Sequence, residues 1–146
     1  MLRDPSLVPL SRQHHNALAL GVLGRRALAE DSSPASVAKV AHRVIDRYEL
    51  ELASHFEIEE QVLFPAFPPL PLIDELRAEH RTLESLVGQL RAAPSIALLE
   101  QFFDLLAAHV RREERELFEK VQQTLPRELL DRMGAEIDRR AARICM

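Results

Sequence analysis

Three histidines in this 146-residue chain are each followed by a glutamate four positions later. The pairs are His55 with Glu59, His80 with Glu84, and His109 with Glu113. Residues four apart lie on the same face of an α-helix, about one turn or ~6 Å apart along its axis, so each imidazole and its carboxylate can address one point. Imidazole nitrogens and carboxylate oxygens are ligands that suit iron, manganese and zinc. The spacing therefore indicates a metal site.

Two of these pairs lie in a repeated segment. Residues 53–64 align without gaps on residues 107–118, and the two segments share an Ala, the His, a Glu-Glu pair, a Leu and a Phe. A looser match relates His15, Leu18 and Val22 to His80, Leu83 and Val87. Repeats ordinarily preserve apolar core positions, whereas this one also preserves a histidine and glutamates. The chain therefore looks like one helix pair used twice around a pseudo-twofold axis.

Prolines and polar turns divide the chain into long stretches of helical periodicity. Ser33 and Pro34 form a typical N-cap and first turn, and the proline-rich residues 65–71 end the helix that they begin. The predicted helices cover about residues 10–30, 34–62, 72–92, 96–123 and 126–144. Because long helices with short connections are antiparallel neighbours, we predict one all-α domain over residues 1–146. It is an up-down-up-down antiparallel four-helix bundle at about 10–123 with an additional short C-terminal helix at about 126–144.

The candidate residues fall on helix faces that should be buried. His80 lies between Leu76 and Leu83 on the apolar stripe of its helix, and His55 continues the stripe of Leu52. An unpaired carboxylate in such a core would cost several kcal/mol, so converging carboxylates and imidazoles need protons, mutual ion pairs or metal ions. A pair of divalent ions satisfies them together, because carboxylates can bridge the two ions and offset their charge.

Composition excludes several classes of protein. Lys plus Arg number 19 against 23 Asp plus Glu, and the net charge of −4 argues against a nucleic-acid binder with a basic surface. The single cysteine, Cys145, excludes an intrachain disulfide framework and a Cys-based zinc or iron–sulfur site. The longest apolar run, residues 17–24, is far shorter than the ~20 residues that span a bilayer, and the first residues do not form a secretory signal. We therefore expect a cytoplasmic protein without a membrane partner.

Taken together, these residues resemble the hemerythrin-like family, the helical bundles with an HHE cation-binding domain. The resemblance covers about residues 10–123 and follows the family order of His, His-x-x-x-Glu, His and His-x-x-x-Glu on four successive helices. It implies a non-haem di-iron centre, bridged by Glu59 and Glu113, in a protein that binds or senses O2, NO or peroxide or handles iron. The implied metal ligands are His15, His55, Glu59, His80, His109 and Glu113.

The chain departs from the oxygen-carrying members of that family on two helices. Those members have His-x-x-x-His on the third helix and His-x-x-x-x-Asp on the fourth. This chain has Glu84 in place of the second histidine, and adjacent Glu113 and Glu114 where one carboxylate is expected. A carboxylate in place of an imidazole changes the charge and can fill the position of O2. The departures favour sensing or redox chemistry over reversible oxygen carriage.

Four further residues stay open as ligands or as hydrogen-bond partners of ligands. His14 competes with His15 for the first-helix position, because adjacent helical residues point about 100° apart, and the repeat favours His15. Glu84 either binds a metal or hydrogen-bonds a bound water or a histidine. Glu114 is an alternative ligand through the five-residue spacing, and Tyr48 is either a core tyrosine or a redox-active neighbour of the metals.

Two other classes of function also fit the sequence. A di-iron redox enzyme, such as a peroxidase, an oxidase or an iron–sulfur cluster repair protein, would turn over peroxide or a reductant. A metal-free helical interaction module would use the charged last helix as its docking surface. That helix carries Glu128, Asp131, Arg132, Glu136, Arg139 and Arg140. The residues leave open whether the chain is an enzyme, whether manganese or zinc replaces iron, and whether the protein is a homodimer.

Overall fold

The computed structural model describes residues 2–144, with side chains described up to residue 141, and Cys145 lies outside this range. Within it the chain is helical, without a strand, which confirms the all-α prediction. A 3₁₀ turn at Pro5–Leu7 precedes helix α1, Val8–Glu30. Helix α2 covers residues 34–63, α3 is Pro71–Ala92, α4 covers residues 96–124, and α5 is Arg127–Ile144.

The helix boundaries follow from side-chain caps and prolines. The Ser33 hydroxyl accepts a hydrogen bond from the Ser36 backbone N–H, and Pro34 occupies the first position of α2, as predicted. The Ser95 hydroxyl caps α4 in the same way. A 3₁₀ turn at Phe64–Ala66 ends α2, because the proline within it cannot continue the hydrogen-bond ladder of an α-helix.

Helices α2 and α4 contain π-helical segments, in which each turn is wider than an α-helical turn. In α2, Pro34–Arg47 and Ala53–Ile58 are α-helical, whereas Tyr48–Leu52 and Glu59–Leu63 are π-helical. In α4, the π-helical segment Glu113–Leu117 separates Ile96–Arg112 from Phe118–Thr124. The segments that begin at Glu59 and Glu113 occupy equivalent positions in the sequence repeat. Short π-helical segments frequently mark functional sites.

Helices α1 to α4 pack side by side. Helix α1 contacts α2 and α4, and α3 also contacts α2 and α4, so each of these four helices has two neighbours. Helix α5 packs on the 3₁₀ turn before α1, on α1 itself and on α2. Among the described residues, none of the helices is long and apolar enough to cross a bilayer.

A buried polar layer separates two apolar clusters. One cluster includes Leu83 and Phe102, and the other includes Leu76 and Phe118. On α3, Leu76 belongs to one cluster and Leu83 to the other, and His80 lies between them with no exposed surface. Helix α1 shows the same order, with the buried His14 between Leu10 of one cluster and Ala17 of the other. The fold thus holds polar side chains at one level of an otherwise apolar interior.

Candidate metal centre

Four helices each contribute one histidine to the buried polar layer. His14 comes from α1, His55 from α2, His80 from α3 and His109 from α4, and each ring is at most 4% exposed. The Nε2 atoms of His14 and His55 are 3.1 Å apart, and the ring centroids of His80 and His109 are 4.8 Å apart. The histidines therefore form two pairs, one from α1 and α2 and one from α3 and α4.

Two fully buried glutamates link the histidine pairs. Glu59 Oε1 lies 3.4 Å from His55 Nε2 and 3.1 Å from His80 Nε2. Glu113 Oε1 lies 3.1 Å from His14 Nε2 and 3.1 Å from His109 Nε2. Each carboxylate thus contacts one histidine of each pair. The result is two groups of four potential ligands that share both glutamates, and the ligand atoms within each group lie within 4.8 Å of one another.

Each histidine is oriented by an acceptor on its other ring nitrogen. With the proton on Nδ1, each ring donates to one side-chain oxygen and turns the Nε2 lone pair toward the glutamates. The donor–acceptor distances are 2.6 Å from His14 to Glu114, 2.7 Å from His55 to Gln13, 2.9 Å from His80 to Glu60 and 2.7 Å from His109 to Glu79. Such outer acceptors fix the tautomer and the direction of a metal-binding imidazole.

Three of the four outer acceptors are carboxylates that cations or hydroxyls hold in place. Glu114 accepts a hydrogen bond from the Ser11 hydroxyl at 2.8 Å and forms an ion pair with Arg3. Glu79 forms an ion pair with Arg112 at 2.8 Å. Arg81 donates to Glu60. The fourth acceptor, the amide of Gln13, is buried and its Nε2 has no hydrogen-bond partner among the described residues.

The two buried glutamates have opposite pKa shifts. Burial and the nearby Glu113 charge raise the pKa of Glu59 well above its usual value. Burial would also raise the pKa of Glu113, but His109, Glu59 and His14 outweigh burial and hold it well below its usual value. A proton in this layer therefore binds to Glu59 in preference to Glu113.

The histidine pKa values are also shifted by the same neighbours. Burial lowers the pKa of His55 well below its usual value and that of His80 to about 4. For His109, contacts with Glu113 and Glu79 overcome burial and raise the pKa to about 9, and contacts with glutamates likewise raise the pKa of His14. The glutamates of the layer thus favour the protonated form of His14 and His109 and form ion pairs with it.

Several polar atoms in this layer have no hydrogen-bond partner among the described residues. They are Oε2 of Glu59, Oε2 of Glu113 and Nε2 of His109, and all three are buried. His109 Nε2 lies 3.1 Å from Glu113 Oε1 but does not form a well-directed hydrogen bond with it. Buried polar atoms are nearly always satisfied, and buried carboxylate oxygens without a partner, in a layer that also holds imidazole nitrogens, suit a bound cation. The donor set of nitrogen and oxygen atoms fits iron, manganese or zinc.

The structure corrects the predicted face of the first helix. We expected His15 to face the other candidates, but its side chain is exposed and His14 lies in the cluster in its place. The repeat therefore relates His14, rather than His15, to His80. The remaining candidates, His55, Glu59, His80, His109 and Glu113, are brought together.

The residues that the sequence left open lie around the cluster. Glu84 is about one third exposed and pairs with Arg81 at 3.2 Å, so it belongs to neither group of potential ligands. Glu114 lies behind the cluster, on Nδ1 of the α1 histidine. The Tyr48 ring contacts the Phe56 ring edge-on at 6.4 Å, and Phe56 stacks on His80 at 4.0 Å. One phenylalanine ring therefore separates Tyr48 from the cluster.

Three outer acceptors were missed by the sequence-based prediction. For Glu60 a signal exists, because the repeat preserves a Glu-Glu pair and Glu114 occupies the equivalent position. Gln13 and Glu79 each directly precede a histidine of the cluster. The equivalence of Gln13 and Glu79 is apparent only when His14, rather than His15, is aligned with His80.

Comparison with known families gives one match. Residues 7–121 match the family model described as Hemerythrin HHE cation binding domain. The match confirms the resemblance inferred from the histidines and glutamates. The searches against curated proteins and against solved structures found no match.

Proposed function

The chain belongs to the hemerythrin HHE cation-binding family, and on that basis we propose that it is a non-haem di-iron protein. The observation that carries this proposal is the sharing of two buried carboxylates, Glu59 and Glu113, between two histidine pairs. Two cations that lie close together repel each other, and bridging carboxylates offset that repulsion. A single ion would leave one histidine pair, and a carboxylate oxygen that faces this pair, without a metal contact.

The proposed ligands divide into two sets of four. His14 and His55 bind one ion, His80 and His109 bind the other, and both glutamates serve both ions. The unpartnered carboxylate oxygens support this assignment, because each glutamate keeps one acceptor atom beyond those in contact with histidines. His14 replaces His15 in the proposed ligand set, because the His14 ring is buried in the cluster whereas the His15 ring is exposed.

We further propose that the protein binds or senses O2, NO or peroxide, or handles iron. A reduced iron centre with nitrogen and oxygen ligands supplies the affinity for such small ligands. The chain supplies a dry site: Phe118 stacks on His14 at 5.3 Å and Phe56 on His80 at 4.0 Å. Apolar walls of this kind control solvent access to a metal and its reactivity.

For the architecture, we propose that α1 to α4 form an up-down-up-down antiparallel bundle within a single domain, with α5 added to it. The short connections between successive helices and the two neighbours of each helix support this arrangement. One level of the bundle then receives a histidine from every helix.

Metal analysis of the purified protein tests the di-iron proposal. We expect about two iron ions per chain, and a loss of iron in the His14→Ala and His109→Ala variants. His15→Ala is the matched control, because it removes an adjacent but exposed imidazole and should leave the iron content unchanged. Unchanged iron in both His14→Ala and His109→Ala would contradict the proposal, as would a loss that is confined to His15→Ala.

An anaerobic optical titration distinguishes the candidate activities. If the protein binds or senses a small ligand, addition of O2 or NO to the reduced protein should change the spectrum in proportion to the protein present. Catalytic consumption of peroxide together with a reductant would instead indicate a redox enzyme. A protein without metal that chelators do not destabilise would favour an interaction module.

A further inference from the structure

The outer acceptors of the two histidine pairs differ at one place. In α1 and α3, one residue directly precedes the cluster histidine, His14 or His80. This residue accepts a hydrogen bond from the cluster histidine of the following helix. In α1 this residue is Gln13, which holds His55, and in α3 it is Glu79, which holds His109. The two donor–acceptor distances are both 2.7 Å. The two distances are therefore equal, and the acceptors differ in charge: a neutral amide in one pair and a carboxylate in the other.

From this difference we infer that the two halves of the centre hold metal unequally, and that Gln13 makes the His14–His55 half the weaker one. The inference rests on the proposed function, because it presupposes that both halves bind a metal ion. Gln13 thus tunes the metal affinity through its hydrogen bond to His55, without itself contacting an ion.

The chemical reason is the charge of the acceptor. A carboxylate that accepts the Nδ1–H proton makes the imidazole a stronger base and a stronger metal ligand, whereas an amide does so much less. Changes of such outer partners typically alter metal affinity by about 10–100-fold. The remaining acceptors do not cancel this effect, because Glu114 behind His14 and Glu60 behind His80 are both carboxylates.

The surroundings of the two acceptors differ in the same direction. Glu79 is fixed by Arg112, which also bonds Glu75 on the next turn of α3. Gln13 has no such anchor among the described residues, since its Nε2 is unpartnered. Its side chain also lines a cavity of about 530 Å³ between α1, α2 and α5. The cavity reaches the residue that holds His55, and no described residue of the cavity contacts His109 in the same way, so we expect this half to lose its ion first.

Competition of the metal-free full-length protein with a chromophoric chelator for Zn²⁺ tests the inference. We expect two zinc ions to bind with dissociation constants that differ by about tenfold or more. Gln13→Glu should tighten the weaker step, and Glu79→Gln should weaken the tighter step, each by about 10–100-fold. His55→Ala should abolish the weaker step and His109→Ala the tighter one, which assigns each constant to a half.

Matched controls separate this effect from general changes in charge. Glu100→Gln removes an exposed carboxylate from α4, and Gln89→Glu makes the same amide-to-acid change as Gln13→Glu on an exposed face of α3. Neither should shift the zinc constants. If Gln13→Glu unfolds, as thermal melting followed by circular dichroism would show, Gln13→Ala should weaken the weaker step further.

The outcomes distinguish this inference from the proposed function. Two zinc ions with equal constants, or constants that Glu79→Gln and folded Gln13 variants leave unchanged, would overturn the inference while a two-metal centre survives. Failure to bind either zinc or iron would overturn both. Release of the His80–His109 ion first on addition of chelator would also contradict the inference.

Discussion

The two repeated halves of the molecule are alike in the glutamates that contact both histidine pairs, and they differ in the acceptors that hold His55 and His109. In α2 and α4, a histidine is followed at the same spacing by the buried glutamate that contacts both histidine pairs and then by a second glutamate. A π-helical segment begins at the first of these glutamates in both helices. The first glutamate, Glu59 or Glu113, faces both histidine pairs, and the next, Glu60 or Glu114, holds a histidine of another helix. Two adjacent carboxylates thus have different roles on each helix.

Helices α1 and α3 are much less alike. They share one cluster histidine each, but α1 follows it with small residues that bring the helix close to α4, whereas α3 fills the same positions with large apolar side chains. Gly24 on α1 corresponds to Leu90 on α3, and a methyl group added at Gly24 would lie 2.5 Å from Cζ of Phe103. The comparison indicates that the same arrangement of candidate ligands constrains both α2 and α4, while α1 and α3 differ in packing and in the acceptor that they provide.

Loss of a bridging carboxylate should have the largest effect. Glu59→Gln and Glu113→Gln keep the shape of the side chain but remove the charge that both histidine pairs share. We expect each variant to weaken the binding of both ions by at least about 100-fold, since a bridging ligand is lost from both at once. Metal content and zinc affinity measure the effect.

The matched change on the neighbouring glutamate gives the control. Glu60→Gln leaves both bridges intact and alters only the acceptor behind His80. It should weaken one ion by about 10–100-fold and spare the other. Equal losses in Glu59→Gln and Glu60→Gln would show that the two adjacent carboxylates do not divide their roles in this way.

The helices were predictable from local chemistry. Ser33 with Pro34 marks the start of α2, and the prolines after Phe64 mark its end, because both effects act within a few residues of the chain. The π-helical segments were not predictable, since no residue type signals them. They move the buried face by one position, so that Leu63 is fully buried whereas Val62 is only partly buried.

The candidate centre was predictable on three helices and misjudged on α1. A histidine with a glutamate one turn later, repeated in α2 and α4, constrains the face of those helices. In α1, the histidines have no glutamate one turn later. The apolar pattern of this helix also misleads, because Val22 and Leu23 are 57% and 49% exposed while Ala17 and Gly24 are buried. The face of α1 depends on close approach to α4, which only the folded structure shows.

A methyl group added to a glycine should have opposite effects in α1 and α3. Gly24→Ala places its Cβ against the buried Phe103 ring and should destabilise the protein by about 1–3 kcal/mol. Gly88→Ala, on an exposed face of α3 with no atom within 4 Å of the added Cβ, should stabilise it by about 0.5–1 kcal/mol. Urea denaturation of both variants without metal measures the difference. Stabilisation by Gly24→Ala would show that α1 and α4 can separate freely.

The smallest expected difference concerns the caps that begin α2 and α4. Ser95 Oγ accepts from the Leu98 N–H at 3.1 Å and Ser33 Oγ from the Ser36 N–H at 3.3 Å. Ser95→Ala should cost about 1 kcal/mol of unfolding free energy. Ser33→Ala should cost about half as much, because Pro34 lacks one of the N–H groups left unpaired at a helix start and fixes the first helical φ angle. Urea denaturation under the same conditions ranks the two variants. A larger loss in Ser33→Ala would mean that the hydroxyl, rather than the proline, positions the start of α2.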